Sequence, residues 1–254
     1  MRILILAAGY AVRLRPLTLN TSKSLLAIGG RKIIDRVIDK IVRVEDAGSI
    51  SVIVNAKHFR SFLRWRKGSR YKDRISLIND GSVSNETRLG AVRDMELAIK
   101  KGGKSEDLLV IAGDNLFDFE LDKFIKFAED RPDGVTVALH DIGSLEEAGN
   151  FGVVKIDEAS RVVEFKEKPP APKSTLISTG VYYFPKEKLS FIGDYVKIQN
   201  NLDAPGNYIS WLAKRDRVYG FVFLEDWCDI GTNESYKKAD AAYQKKEREE
   251  NDEE

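Results

Sequence analysis

Bare backbone followed by fixed positive charge is the first chemical signal in this 254-residue chain. Leu6-Ala7-Ala8-Gly9 ends a short apolar run with almost no side-chain bulk. Main-chain amides there can come close to a bound group, and Gly9 can take a positive φ where a sharp turn needs it. Arg13, Arg15 and Lys23 follow in one loop, with Pro16 preventing an early helix. Amide donors beside three cations describe a cradle for a polyphosphate. An ordinary solvated basic loop has the same composition. Asp114 stands directly after a second apolar run, in Gly113-Asp114-Asn115. That edge of a central strand is where open α/β sheets do chemistry, although turn aspartates that cap the next segment also sit there. No Gly-x-x-x-x-Gly-Lys-Ser/Thr occurs and no Gly-x-Gly-x-x-Gly follows a strand, so neither a P-loop ATPase nor a dinucleotide-binding oxidoreductase is favoured.

The elements that must carry these residues are readable from periodicity. Residues 3–6, 51–54, 75–78, 107–112 and 134–140 form short apolar strands, and 31–46, 59–67, 91–101 and 121–131 have helical spacing. Their alternation predicts a mostly parallel sheet covered on both faces. Between strand and helix, 81–91 is polar, and its Asn85 and Thr87 either cap the helix or read a base edge. Beyond Gly143 the strands 151–156, 162–166 and 177–184 follow without long helices, with 157–160 as a hairpin turn. Gly149-Asn150-Phe151-Gly152 offers bare backbone or simply a turn. Glu164-Phe165-Lys166-Glu167-Lys168-Pro169 alternates charge as a solvated edge does. Asp203 reads as the cap of a helix with Pro205 in its first turn, 218–224 as a late strand, and 233–246 as a helix before a frayed acidic tail, 247–254. His58 and His140 read as ordinary. Cys228 lacks a histidine partner, which favours a structural role.

Leu6-Ala7-Ala8-Gly9-x-x-x-Arg13-Leu14-x-Pro16-Leu17-Thr18, then Ser22-Lys23-Ser24-Leu25-Leu26 and Ile28-Gly29-Gly30, resembles the opening signature of the sugar-1-phosphate nucleotidyltransferases. Ala11 stands where a second glycine is usual, and Ser22 where a proline is usual. The resemblance implies a Rossmann-like three-layer α/β sandwich with a mostly parallel central sheet and a smaller antiparallel sugar-binding lobe. Within one domain, 1–246, it implies a nucleotide-binding half (1–142), the sugar lobe (143–231) and a C-terminal helix (232–246). It further implies Mg²⁺ held by Asp114 and by Asp229 of Trp227-Cys228-Asp229-Ile230-Gly231-Thr232. Nucleotide contacts would come from Leu6, Ala7, Ala8, Gly9, Arg13, Lys23, Asn85, Thr87 and Gly90. Sugar contacts would come from Gly152, Glu167, Lys168, Thr179 and Gly180. Arg88-Leu89-Gly90-Ala91 replaces the family's usual Gln-Pro-x-Gly-Leu-Ala, leaving the base open. The expected reaction joins a nucleoside triphosphate to a sugar 1-phosphate, with Arg13, Lys23 and Lys168 balancing phosphate charge.

Composition bounds the alternatives. Lys and Arg total 41 against 40 Asp and Glu, so bulk nucleic-acid binding is not indicated. No run is long enough to span a bilayer and no signal-peptide pattern opens the chain, so a membrane partner is not expected. One cysteine fits a reducing cytoplasm. A homo-oligomer is allowed, and no β-helix extension with a second, acetyltransferase-like activity is expected. Competing readings are a cytidylyltransferase acting on a non-sugar phosphorylated alcohol, a glycosyltransferase, and a non-catalytic sensor. A glycosyltransferase would normally show Asp-x-Asp after a strand, which is missing, and a sensor would have lost some of the five charged residues.

Overall fold

The computed structural model describes residues 1–45 and 47–252. The chain opens with β1 (Arg2–Leu6), a loop, and the small hairpin β2 (Ala27–Ile28) and β3 (Arg31–Lys32). It continues through α1 (Ile33–Ile41), β4 (Ile50–Val54), α2 (Phe59–Gly68), β5 (Ile75–Asn79), α3 (Ala91–Gly102), β6 (Leu108–Ala112) and β7 (Asn115–Phe117). Then come α4 (Leu121–Glu129), β8 (Gly134–Asp141), the single turn α5 (Leu145–Ala148), and the hairpin β9 (Gly152–Ile156) with β10 (Val162–Glu167). The last third holds β11 (Leu176–Phe184), α6 (Ser190–Ile198), α7 (Pro205–Leu212), β12 (Arg217–Phe223), β13 (Trp227–Asp229) and α8 (Asn233–Asp252).

Seven strands make the central sheet in the order β5-β4-β1-β6-β11-β8-β12, parallel throughout except for β11. β1 lies near the middle because Ile3, Leu4 and Ile5 are apolar without interruption and are buried on both faces. Each such side chain stabilises the fold by about 1.5–3 kcal/mol. Ile3 and Ile5 pack with Ile34, Val37, Ile38 and Ile41 of α1, Phe62 of α2 and Phe124 of α4. Leu4 faces the other way, toward Val92, Met95 and Ile99 of α3, Ile192 of α6 and Tyr208 of α7. Three layers result, as the alternation predicts.

Local departures have identifiable causes. The helix expected over 31–46 starts at Ile33, because Gly29 and Gly30, both at positive φ, turn Arg31 and Lys32 back against Ala27 and Ile28. It ends at Ile41, with Val42 as its C-cap, short of the expected end at residue 46, which itself lies outside the described residues. Asp203 does not cap α7; Ala204 takes that position, with Pro205 first in the helix. Rather than fraying at 247, α8 runs on through Asp252, aided by ion pairs such as Lys245–Glu249 at 3.5 Å. Residues 253–254 of the expected tail lie outside the described residues. β11 belongs to the central sheet, between β6 and β8, while β9 and β10 prolong its free edge as an antiparallel flap. Among the described residues no helix is long and apolar enough to cross a membrane.

Candidate active site

The loop after β1 is pinned on several sides. Ala7 N–H donates to the Ile53 carbonyl at 2.9 Å and Gly113 N–H to the Leu6 carbonyl at 2.8 Å. Asn55 is fully buried; its Nδ2 donates to the Ala8 carbonyl at 2.9 Å and its Oδ1 accepts from the His58 N–H at 2.9 Å. Ala11 sits in the left-handed region at φ 44°, where a side chain costs about 1–2 kcal/mol. Its carbonyl accepts from Thr18 Oγ1 at 2.8 Å. Two 3-10 turns follow, Val12–Leu14 carrying Arg13 and Lys23–Leu25 carrying Lys23. From the far end of the chain, α8 braces this region: Tyr236 Oη donates to the Ala27 carbonyl at 2.8 Å and Asn233 Nδ2 to the Arg15 carbonyl at 3.2 Å. Asp240 Oδ1 accepts from the Gly29 N–H at 2.8 Å.

Asp114 reaches this loop because Gly113 has no side chain. A Cβ there would lie 2.9 Å from the Leu6 carbonyl oxygen and 3.0 Å from Ser24 Oγ. Lys23 Nζ forms an ion pair with Asp114 Oδ2. Asp229 arrives from the end of β13, whose antiparallel pairing with β7 sets it opposite Asn115. Asn115 locks the crossing: its Nδ2 donates to the Thr179 carbonyl, and its Oδ1 accepts from Trp227 Nε1 at 2.8 Å. Burial first, and the Asp114 charge second, push the Asp229 carboxyl above the usual carboxylate range, while Lys23, Arg13 and Lys168 oppose the shift. Four residues from separate stretches of sequence, Asp114, Lys23, Arg13 and Lys168, therefore act electrostatically on Asp229. Burial and Asp229 together raise the neighbouring Cys228 thiol to about 11, which keeps it protonated and unsuited to nucleophilic attack.

On the flap, the β9–β10 register sets Glu167 opposite Gly152. A Cβ at Gly152 would stand 2.6 Å from Phe165 Cζ and 3.1 Å from Glu167 Oε2, and one at Gly206 would overlap the same carboxylate oxygen. Glu167 is thus wedged between two glycines, and burial raises its pKa against the pull of Lys168. Lys168 is exposed and left-handed at φ 45°, held by its N–H to the Phe151 carbonyl at 2.9 Å. Strain of this kind at a residue other than glycine persists only where neighbours impose it. Thr179 is buried and its hydroxyl donates to the Ala138 carbonyl at 3.1 Å, while Gly180, at φ 80°, bulges against Ala112.

A cavity of about 260 Å³ opens beside the loop. Leu6, Ala7, Ala8, Gly9, Lys23 and Asp114 line it, together with Gly90, Asp80, Arg88, Asp94 and Asp203. Of the residues the sequence singles out, Arg13, Asn85, Thr87, Gly152, Glu167, Lys168, Thr179, Gly180 and Asp229 are not among its lining residues. Thr87 Oγ1 accepts from the Ser84 N–H at 3.0 Å and the Val83 N–H at 3.1 Å, capping its own 3-10 turn rather than α3. Gly90 is required where it stands, at φ 88° with a built Cβ 2.6 Å from the Leu202 carbonyl oxygen. Four charged residues of this wall, Asp80, Arg88, Asp94 and Asp203, are absent from the sequence-derived site. One signal was available for them: Asp94 falls on the otherwise apolar stripe of α3 with Ala98.

For a divalent cation the residues fit. Asp114 and Asp229 offer hard oxygen donors, and a cation between them would relieve the repulsion that raises Asp229. Among the described residues no cluster of three acidic, histidine or cysteine ligands exists. Phosphate oxygens and water would complete the shell.

A cradle-like loop on a mostly parallel sheet, with paired carboxylates at the strand ends, defines a class that comparison makes specific. The family model described as nucleotidyl transferase matches residues 2–246, and the chain belongs to that family of enzymes. Among curated proteins it is similar to the bifunctional protein GlmU of Methanocaldococcus jannaschii, 29% identical over 232 residues, covering 91% of this chain and 51% of the relative. A second GlmU, from Methanococcus aeolicus, is 29% identical over 237 residues with the same coverage. The chain thus spans about half the length of these relatives. Among solved structures, a Bacillus anthracis protein described as a glucose-1-phosphate thymidylyltransferase, in complex with sucrose, superposes with a TM-score of 0.82 at 24% identity, covering 96% of this chain and 95% of that one. A UDP-glucose pyrophosphorylase complexed with UDP-glucose gives 0.81 at 20% identity, over 96% and 98%. At those identities the likeness is one of fold.

Proposed function

We propose that the protein transfers a nucleotidyl group from a nucleoside triphosphate to a sugar 1-phosphate and releases pyrophosphate. The observation that carries this reading is the action of Arg13, Lys23, Asp114 and Lys168 on one buried carboxyl, Asp229, with Lys23 paired to Asp114. A phosphate oxygen of the acceptor attacks the α-phosphorus, a new P–O bond forms, and the bond from that phosphorus to the bridging oxygen of the β-phosphate breaks. The nucleophile is already anionic, so no general base is needed, and alignment with charge neutralisation supplies the catalysis. Main-chain amides of Ala8 and Gly9 and the Arg13 guanidinium meet the β- and γ-phosphates, while Lys23 meets the α-phosphoryl oxygens. Lys168 holds the incoming phosphate, and Glu167, with Gly152, Thr179 and Gly180 beside it, accepts sugar hydroxyls. Asp114 and Asp229 would hold Mg²⁺, which would supply neutralisation of the charge building on the α-phosphate.

The test is direct. The protein is incubated with Mg²⁺, each of the common nucleoside triphosphates, and a panel of sugar 1-phosphates and non-sugar phosphorylated alcohols, and pyrophosphate is measured. Release with a sugar 1-phosphate is expected. Release only with a non-sugar acceptor, or none with any pair, overturns the reading.

A further inference from the structure

The near-neutral charge of the whole chain, 41 Lys and Arg against 40 Asp and Glu, hides an uneven distribution. α2 carries Arg60, Arg64, Arg66 and Lys67 and no acid, and the turn after it adds Arg70, Lys72 and Arg74 against Asp73 alone. Its neighbours in the same layer balance their charges, α1 with Asp35 and Asp39 against Arg36 and Lys40, α4 with Asp122 and Glu129 against Lys123 and Lys126. Of the cations in and after α2, only Arg70 forms an ion pair among the described residues, with Asp39 at 2.7 Å. Arg64, Arg66 and Arg74 reach neutral oxygens: Ser61 Oγ at 3.3 Å, the Lys72 carbonyl at 3.1 Å and the Ala47 carbonyl at 2.5 Å. Arg60, Arg64 and Lys67 stand at i, i+4 and i+7, opposite the buried Phe62 and Trp65, as one exposed line about 10 Å long. This arrangement works against the helix itself. Like charges three and four residues apart repel, and Arg60 in the first turn opposes the positive end of the helix dipole with no acid beside it.

We propose that this face of α2 docks on a nucleic-acid backbone, binding phosphates without reading sequence. Three kinds of partner neutralise a cationic helix face, and the surrounding side chains distinguish them. A helix that sinks into an anionic membrane needs a broad apolar face turned outward. Here Leu63, at 43%, is the only exposed large apolar side chain of the helix. An acidic protein would need an apolar patch at the centre of the contact, where charged residues are depleted. Interfaces with nucleic acid are instead polar and strongly positive. Arginine outnumbers lysine five to two among these cations, and its planar fork matches the paired oxygens of a phosphate. No ring is offered to a base for stacking: Phe62 and Trp65 are buried, and the Tyr71 ring lies under the Arg70 guanidinium at 4.7 Å. Contacts are therefore confined to the backbone, which positions a protein but does not specify a sequence. Charge density then sets the preference, and a duplex offers more of it than a single strand.

Fluorescence anisotropy of labelled DNA duplexes, titrated with the full chain across a KCl series, tests this. At about 0.1 M salt a dissociation constant on the order of 10 µM is expected, alike within about twofold for duplexes of unrelated sequence. A single strand of the same length should bind no tighter. Combining Arg60→Gln, Arg64→Gln and Lys67→Gln should weaken binding at least about tenfold and flatten the slope of log affinity against log salt by about 2.7, the share of three phosphate contacts. Glutamine matches both residues in helix propensity and the substitutions remove repulsion, so this variant should melt no lower than the parent. Lys237→Gln with Lys238→Gln, exposed cations on α8, should move affinity by less than about twofold. Duplex binding that ignores salt or the triple substitution overturns the proposal, as does a single strand bound more than about tenfold tighter than the duplex. Binding of phosphatidylserine vesicles without binding of duplex assigns the face to a membrane, and salt-sensitive self-association without duplex binding assigns it to a second copy. Either result overturns the proposal.

Discussion

The two charged groups that meet at this cavity are built by opposite means. Around Lys23 and Asp114, charges of both signs come from separate strand ends and loops and are balanced against each other: Lys23 against Asp114 in the cavity lining, and Arg13 and Lys168 against Asp229 outside it. In the other group a carboxyl, Asp94, is buried near two more acids with no cation of its own, and its pKa is pushed up to about 8, by burial above all and then by Asp80 and Asp203. A compensated cluster can bind and release charged groups without unfolding its surroundings. An uncompensated one is a standing destabilisation that a ligand removes.

Substitution of the two carboxylates proposed to hold the metal tests the contrast most severely. Asp229→Ala or Asp114→Ala should lower turnover about 10³-fold with the base preference unchanged; near-normal pyrophosphate release in either variant removes that residue from the site. Next comes stability against pH. The folded chain keeps a proton on Asp94 that the unfolded chain loses near pH 4, so the folded state binds more protons between about pH 4 and 8. Stability should therefore fall as pH rises through that window. In the ligand-free protein, Asp94→Asn should make the fall shallower, the raised Asp229 and Glu167 carboxyls keeping a part of it, and raise stability at pH 8.5 by something on the order of several kcal/mol. Urea denaturation at pH 5 and pH 8.5 reads this, and a wild-type profile flat across the window contradicts it. Lys168→Ala should raise the acceptor KM about 10–100-fold with nucleotide affinity within twofold; a matching loss for both substrates would move Lys168 out of the acceptor site. The smallest effect belongs to Ala11→Gly, which relieves a left-handed alanine and should stabilise by about 1 kcal/mol or less. A drop in melting temperature would show that the loop is not strained there.

Legibility in the sequence followed the locality of the cause. β1, α1 and β6 were readable because their burial is written in consecutive residues, as in Ile3-Leu4-Ile5, or in helical spacing, as in Ile34, Val37, Ile38 and Ile41. Asp114 and Asp229 were readable as motif residues, although what joins them, the pairing of Asn115 with Asp229 across more than a hundred residues, was not. Strand order has the same character: nothing near residues 176–184 says that they lie between β6 and β8. Asp203 looked like a cap because Pro205 follows it. It is instead drawn to Arg88 from another element, a long-range attraction overriding a local preference. Asp94 was overlooked because an acid on a helix is unremarkable until its face is known to be buried.

The contacts of α8 have a consequence for how the protein can be handled. Three hydrogen bonds from one terminal helix fasten the segment that presents Lys23, and a Cβ on Gly29 would strike Tyr243, so helix and loop sit hard against each other. Trimming residues 233–252 would slacken the phosphate grip at the opposite end of the sequence. Any graft or tether fixed to that helix would lean on the same lever.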